Sequence, residues 1–419
     1  MIAEIIAAGS EMLTPFRQDT NSLYLTSELN ALGVSVAFKT IVGDNLQHLT
    51  AAAAVALMRA NIVILSGGLG PTEDDLTREA VASALDISLV RDEKLLADLE
   101  ARFAKRGIPM TANNSKQADV LEGAEILPNI NGSAAGQFLV TNVTDPLGNQ
   151  HRRIVILLPG PPRELKPLFA AEVKHRLVFL VPERHMAKRV LRMALLPESQ
   201  VDARTAPIYK QFPDVETTIL AHAGEIQLHF QASAKTATEA QSQVDNLASL
   251  IKAEMGEAIF SSDNSSLEEV VLDLLAAKNF TLATAESCTG GLLAQRVTAI
   301  PGSSKQFLGG AVVYSNLLKT AFADVPAEMI ATHGAVSEPV ARALAQGIRK
   351  RTNASVGIGI TGIAGPTSAD TSKPIGLVYI GLATPTATTV TQHNFTGDRD
   401  RVRWWSSQQA LELLRQSLL

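Results

Sequence analysis

Residues 284–291 read Thr-Ala-Glu-Ser-Cys-Thr-Gly-Gly, which places Ser287 after the apolar run 280–283 and before the helical pattern 292–297. A serine on a strand-to-helix turn can attack a carbonyl carbon once a neighbouring base takes its proton. Gly290 and Gly291 permit close backbone approach, so the N–H groups from Cys288 to Gly290 are candidate donors to a developing oxyanion, with Thr289 adding a second hydroxyl. His333 and His393 are possible bases, but no Ser-His-Asp pattern contains them. Lys319 is the better base if burial or a neighbouring cation keeps its amine neutral, and Tyr314 converges on it if the chain turns at Asn316. The chemistry expected of this set is amide hydrolysis through an acyl-serine. Cys288 is the competing nucleophile, disfavoured because adjacent side chains need not face one pocket.

Two further loops end strands in the same part of the chain. Thr361 and Gly362 lie in one; Arg399, Arg401 and Arg403 follow the other and are ready phosphate ligands. An amide substrate carrying a phosphate suits such a pocket. Taken singly, Ser287 would be a helix cap and Lys319 a solvated lysine; the convergence of unusual strand-end loops argues for chemistry.

A second constellation lies near the N-terminus. Gly67, Gly68 and Gly70 follow a buried-type strand, and Thr72, Asp74 and Asp75 precede the helical pattern 77–85. Closely spaced glycines let backbone N–H groups cradle a phosphate. The acid pair either caps the helix or binds a divalent cation that already bridges phosphates. No Gly-Lys-Ser/Thr follows, and the spacing is not that of a dinucleotide fingerprint. Glu11, Lys116 and Gly160 lie in other loops expected to border the same crevice.

The elements that position these residues alternate in kind. A strand at 2–8, helix at 21–33, strand at 34–41, helix at 46–59 and strand at 62–66 give βαβαβ order with nearly all-apolar strands, which predicts a mostly parallel sheet covered by helices. The pattern returns after residue 259, with strands at 310–314, 354–360, 376–382 and 388–395 and helices at 265–278, 338–352 and 400–418. Between them, a hairpin about Ala223-Gly224 and a long helix at 236–255 suggest a spacer or dimerisation module. The expected fold is therefore two layered α/β domains with mainly parallel sheets, at 1–172 and 259–419, joined by a small α+β module at 173–258.

Composition narrows the class. In 419 residues, 46% are apolar and 19% charged, which predicts folded domains rather than disorder. A formal charge of -5 without a basic stripe argues against direct nucleic-acid binding. A single cysteine fits the cytoplasm, and neither a membrane-spanning run nor a signal peptide is expected.

Two sets of motifs carry a resemblance. Residues 67–75, Gly-Gly-Leu-Gly-Pro-Thr-Glu-Asp-Asp, and 158–162, Leu-Pro-Gly-Pro-Pro, resemble the N-terminal half of the CinA (competence/damage-inducible protein) family, itself similar to the molybdopterin-binding MogA/MoaB-like domain. That half is linked to metal-dependent cleavage of ADP-ribose to AMP and ribose 5-phosphate, which implies that Asp74 and Asp75 handle a divalent metal and pyrophosphate. Residues 284–291, Tyr314-Ser315-Asn316 with Lys319, 333–339 and 362–366 resemble the family's C-terminal, PncC-type domain. That resemblance implies hydrolysis of nicotinamide mononucleotide to nicotinate mononucleotide and ammonia, without a cofactor. The implied catalytic residues are Ser287, Tyr314 and Lys319, with Arg403 ahead of Arg401 and Arg399 on the phosphate. A homodimer is the implied assembly; the alternatives are a cofactor-binding or competence-related interaction protein without turnover, or pyrophosphatase activity only.

Overall fold

Polar caps fix where the framing helices begin. The Asn45 side chain accepts the His48 N–H and starts Leu46–Arg59, while Ser266 and Glu269 form a reciprocal capping box at Leu267–Ala277. The computed structural model describes residues 1–105, 107, 109–367 and 372–419. These divide into two compact units, Met1–Met186 with Ser233–Ala240, and Ala187–Ala232 with Gln241–Leu419. Among the described residues no helix is long and apolar enough to cross a membrane.

The first unit holds a six-stranded sheet in the order Ser35–Val42, Ile2–Ala8, Ile62–Ser66, Gln150–Leu158, Gly136–Thr144, Glu125–Leu127. Its first four strands are parallel, Gly136–Thr144 runs antiparallel to Gln150–Leu158, and Glu125–Leu127 runs antiparallel to Gly136–Thr144. In the second unit the order is Phe307–Val312, Leu282–Glu286, Val356–Gly362, Leu377–Ala383, Thr388–Asn394. Three parallel strands there meet two antiparallel ones. Both sheets are mixed, which corrects the expectation of mainly parallel sheets. The physical reason lies in the connections: residues 145–149 and 384–387 are too few for a crossover, so each closes a hairpin. A four-stranded sheet, Val215–His222, Glu225–Ala234, His185–Ala194 and Ile259–Ser261, lies between these two in sequence; its first strand pairs with its second, and its third with its fourth, in antiparallel fashion.

Every residue of Leu282–Glu286 is buried. Leu282 packs in a core with Val271, Leu275 and Leu411, while Ala283 and Ala285 pack on the opposite face with Val340 and Leu344. Helices thus cover both faces of this strand, and the turn at its carboxyl end is anchored from two sides.

Candidate active site

Ser287 sits directly after that buried strand. Its N–H donates to the Ile360 carbonyl of the adjacent strand at 2.9 Å, and the side chain is only 8% exposed. The following turn needs its glycines: Gly290 and Gly291 have φ of +62° and +91°. Glu286, buried beside the serine, accepts the Leu293 and Ala294 N–H groups at 3.0 and 2.8 Å. The Gly290 N–H donates back to the Ser287 carbonyl at 3.1 Å. The first helical turn and Gly290 are therefore already satisfied, which narrows the candidate oxyanion donors to the N–H groups of Cys288 and Thr289.

Lys319 does not follow a simple turn at Asn316. Ser315 caps a helix, Asn316–Ala323, by accepting the Leu318 N–H, and Lys319 lies in that helix at 2% exposure. Its Nζ lies 3.0 Å from Ser287 Oγ and donates to the Val313 carbonyl at 3.0 Å. Among the described residues no carboxylate pairs with it. Burial pushes its pKa below the ordinary lysine value, because charging the amine would cost it water contacts. A neutral amine there keeps an N–H for Val313 and a lone pair for the serine proton.

Tyr314 lines the same cavity, but its hydroxyl accepts from Arg399 Nη2 at 2.7 Å instead of meeting Lys319. Arg399 also donates to the Gly365 carbonyl at 2.8 Å. The cavity, about 310 Å³, brings together Ser287, Tyr314, Asn316, Lys319, Thr361, Gly362 and Arg399. Thr289, Gly290, Arg401 and Arg403 do not line it. Arg403 instead grips the Thr289 carbonyl at 3.2 and 3.1 Å through Nε and Nη2, bracing the serine turn. Lys373, which sequence reasoning missed, reaches the cavity wall and donates to the Val336 carbonyl at 2.8 Å. No motif marks it, so only the fold could find it.

The competing groups fall away. Cys288 does line the cavity beside Ser287, so facing does not separate the two, but burial pushes its thiol up to about 12, far from a thiolate at neutral pH. His393 stacks on Phe395 at 5.3 Å and bonds Thr391, and neither it nor His333 lines the cavity.

In the first unit a larger cavity, about 820 Å³, is lined by Glu11, Gly67, Gly68, Gly70, Asp74, Asp75 and Gly160. Arg17, Asn21, Asp44 and Arg163 also line it and were not singled out from the sequence. Thr72 and Lys116 stand behind the wall. Thr72 donates its N–H to Asp75 at 2.9 Å, and Lys116 donates to the Thr72 carbonyl at 3.2 Å while pairing with Glu79. Among the described residues no group of three or more His, Cys, Asp or Glu side chains is placed to hold a metal ion. Two carboxylates suit a magnesium-like cation that takes its other oxygens from phosphate and water. Asp74 and Asp75 both line the cavity, and Asp75 Oδ2 is already held by the Thr72 N–H and hydroxyl.

Comparison with known proteins places names on these regions. Residues 4–178 match the model described as a probable molybdopterin binding domain, 188–261 that of the damage-inducible protein CinA KH domain, and 264–418 that of the CinA C-terminal domain. A CinA-like protein of Acidobacterium capsulatum is 55% identical over 419 residues, covering 100% of both chains. Another, from Koribacter versatilis, is 53% identical, again over 100% of each. Among solved structures, the competence/damage inducible protein CihA of Agrobacterium tumefaciens is 33% identical across 36% of this chain and 93% of its own, with a TM-score of 0.35.

Proposed function

The chain belongs to the CinA family, and from that premise we propose that its C-terminal domain is a nicotinamide-nucleotide amidase, converting nicotinamide mononucleotide and water to nicotinate mononucleotide and ammonia. The observation that carries this reading is the buried Lys319 amine 3.0 Å from the Ser287 hydroxyl. Lys319 accepts the Ser287 proton as Oγ bonds to the carboxamide carbon, and the carbonyl π pair moves onto oxygen beside the Cys288 and Thr289 N–H groups. The Lys319 ammonium then protonates the amide nitrogen, and the C–N bond breaks to release ammonia and leave acyl-Ser287. Water, giving a proton to Lys319, adds to the ester; Ser287 departs and recovers that proton. Arg399, held on the cavity wall by Tyr314 and Gly365, is assigned the phosphate in this proposal ahead of Arg403, which is engaged with Thr289. Tyr314 is assigned the orientation of Arg399 rather than tuning of Lys319. The amidase step uses no cofactor in this proposal.

The test is ammonia release from nicotinamide mononucleotide. Wild type and C288A should turn over, whereas S287A and K319A should fall by about 10²–10⁴-fold. Binding of the nucleotide without ammonia release by wild type would instead support an interaction protein without turnover.

A second reading concerns the first unit, where the glycine loop and the Asp74–Asp75 pair border one cavity. It is proposed as a divalent-metal-dependent ADP-ribose pyrophosphatase site, the metal lending charge to the bridging phosphates and Asp74 and Asp75 holding it. AMP release from ADP-ribose by wild type and its loss in D74N tests that assignment. The middle segment is not proposed as a nucleic-acid binder. KH modules clamp the backbone with a Gly-x-x-Gly loop, and residues 188–261 contain glycine only at 224 and 256. A cytoplasmic homodimer acting on phosphorylated small molecules completes the proposal; the lone buried thiol is in keeping with a reducing compartment.

A further inference from the structure

Four successive carbonyl oxygens of the glycine loop are held by two residues that open the helix Thr77–Leu85. The Thr77 hydroxyl donates to Gly67 at 2.8 Å and its N–H to Gly68 at 3.2 Å. Arg78 Nη1 donates to Leu69 at 2.9 Å and Nη2 to Gly70 at 3.0 Å. In a trans peptide the C=O and the next N–H point in opposite directions. Carbonyls drawn toward the helix therefore turn the N–H groups of Gly68, Leu69 and Gly70 away from it, and the next residue, Pro71, has none to turn. The Gly67 N–H donates to Leu158, while those of the other three have no acceptor among the described residues. Only glycine allows this path: Gly67 and Gly68 have φ of +101° and +66°, and a Cβ on Gly68 would lie 2.2 Å from Thr77 Oγ1.

Arg78 is also a buried charge without a direct ion pair. It is 1% exposed, its Nε has no partner, and among the described residues it makes no ion pair. Burial pushes its pKa down, with Glu79, Asp75 and Asp119 acting in the other direction, yet a guanidinium stays protonated at neutral pH. A buried cation bonded only to neutral carbonyls, with its carboxylates beyond ion-pair distance, is costly. An anion across the loop would offset that cost.

We propose that Arg78 is the positioning residue of a diphosphate site: its fork fixes the Leu69 and Gly70 carbonyls, turns the Gly70 N–H to the ligand beside the Gly68 and Leu69 N–H groups that Thr77 orients, and sets a positive charge behind them. This rests on the reading of the first unit as a pyrophosphate-ligand site. Arg78 acts through the loop and does not touch the ligand.

The test uses the full chain with inorganic pyrophosphate as the probe, titrated calorimetrically with magnesium. R78K keeps the charge and loses the fork; R78Q keeps a donor and loses the charge. Each is expected to weaken binding on the order of tenfold or more, while ammonia release from nicotinamide mononucleotide is unchanged. I64V, a core change in the same unit, controls for destabilisation and should leave the dissociation constant alone. Wild type that fails to bind pyrophosphate overturns the ligand-site reading and this inference with it. Binding by wild type that both variants retain, or that I64V weakens equally at a matched melting temperature, overturns the Arg78 assignment alone. If one variant does not fold, the other decides.

Discussion

At the scale of single residues, the chemistry depends on what burial does to one amine. Lys319 has its pKa lowered from 10.5 by desolvation, so its neutral fraction at a given pH exceeds that of a solvated lysine. The amidase rate should climb as pH rises through that depressed value, and the limb should vanish from the residual activity of K319A. Stability carries the same signature. Between the folded pKa and 10.5 the unfolded chain binds more protons, so folding stability gained from this group rises with pH across that window. Melting followed from pH 7 to 10 should show wild type gaining on K319M; a constant gap would mean that Lys319 titrates normally. Arg399 and Arg403 make the complementary point. Both are arginines on one helix, and only their partners separate a cavity residue from a brace of the serine turn.

At the scale of elements, the serine turn is held by its neighbours on either side. The Glu286 carboxylate ties the end of Leu282–Glu286 to the first turn of Leu292–Thr298, with Ser287 between the two attachments. E286A would leave the buried Leu293 N–H and the partly buried Ala294 N–H without their acceptor, which costs about 1–3 kcal/mol for the buried group and less for the other. Urea unfolding should register that loss, and kcat for ammonia release should fall further than KM changes, since the nucleophile's angle is what the carboxylate fixes. The same scale shows what sequence made legible. Leu46–Arg59, Ile62–Ser66, Thr77–Leu85 and Glu338–Thr352 have the ends their patterns predict. For Leu46–Arg59 the N-terminal signal is a side-chain cap at Asn45, and Asn353 closes Glu338–Thr352 in the left-handed conformation. The helix Asn316–Ala323 was missed because Tyr-Ser-Asn serves a turn and an N-cap equally well, and only the Ser315 to Leu318 bond distinguishes them.

At the scale of the whole molecule, the two proposed activities sit in separate compact units and make opposite demands on metal. A chelator added to one full-length preparation should abolish AMP release from ADP-ribose and leave ammonia release intact. Loss of both together would tie the amidase to a metal and remove the Ser–Lys account. Local patterning by itself settled the α/β character, the glycine loops, the strand–turn–helix around Ser287 and the family, because each is written within a few dozen consecutive residues. What folding alone decided is which distant groups share a space. Ser287 and Lys319 are 32 residues apart and meet because Phe307–Val312 pairs beside Leu282–Glu286. Strand order, the antiparallel turn-back of both sheets and the exclusion of water from an amine are products of the assembled core. Hydrophobic periodicity specifies that a strand is buried, but not which strand lies next to it.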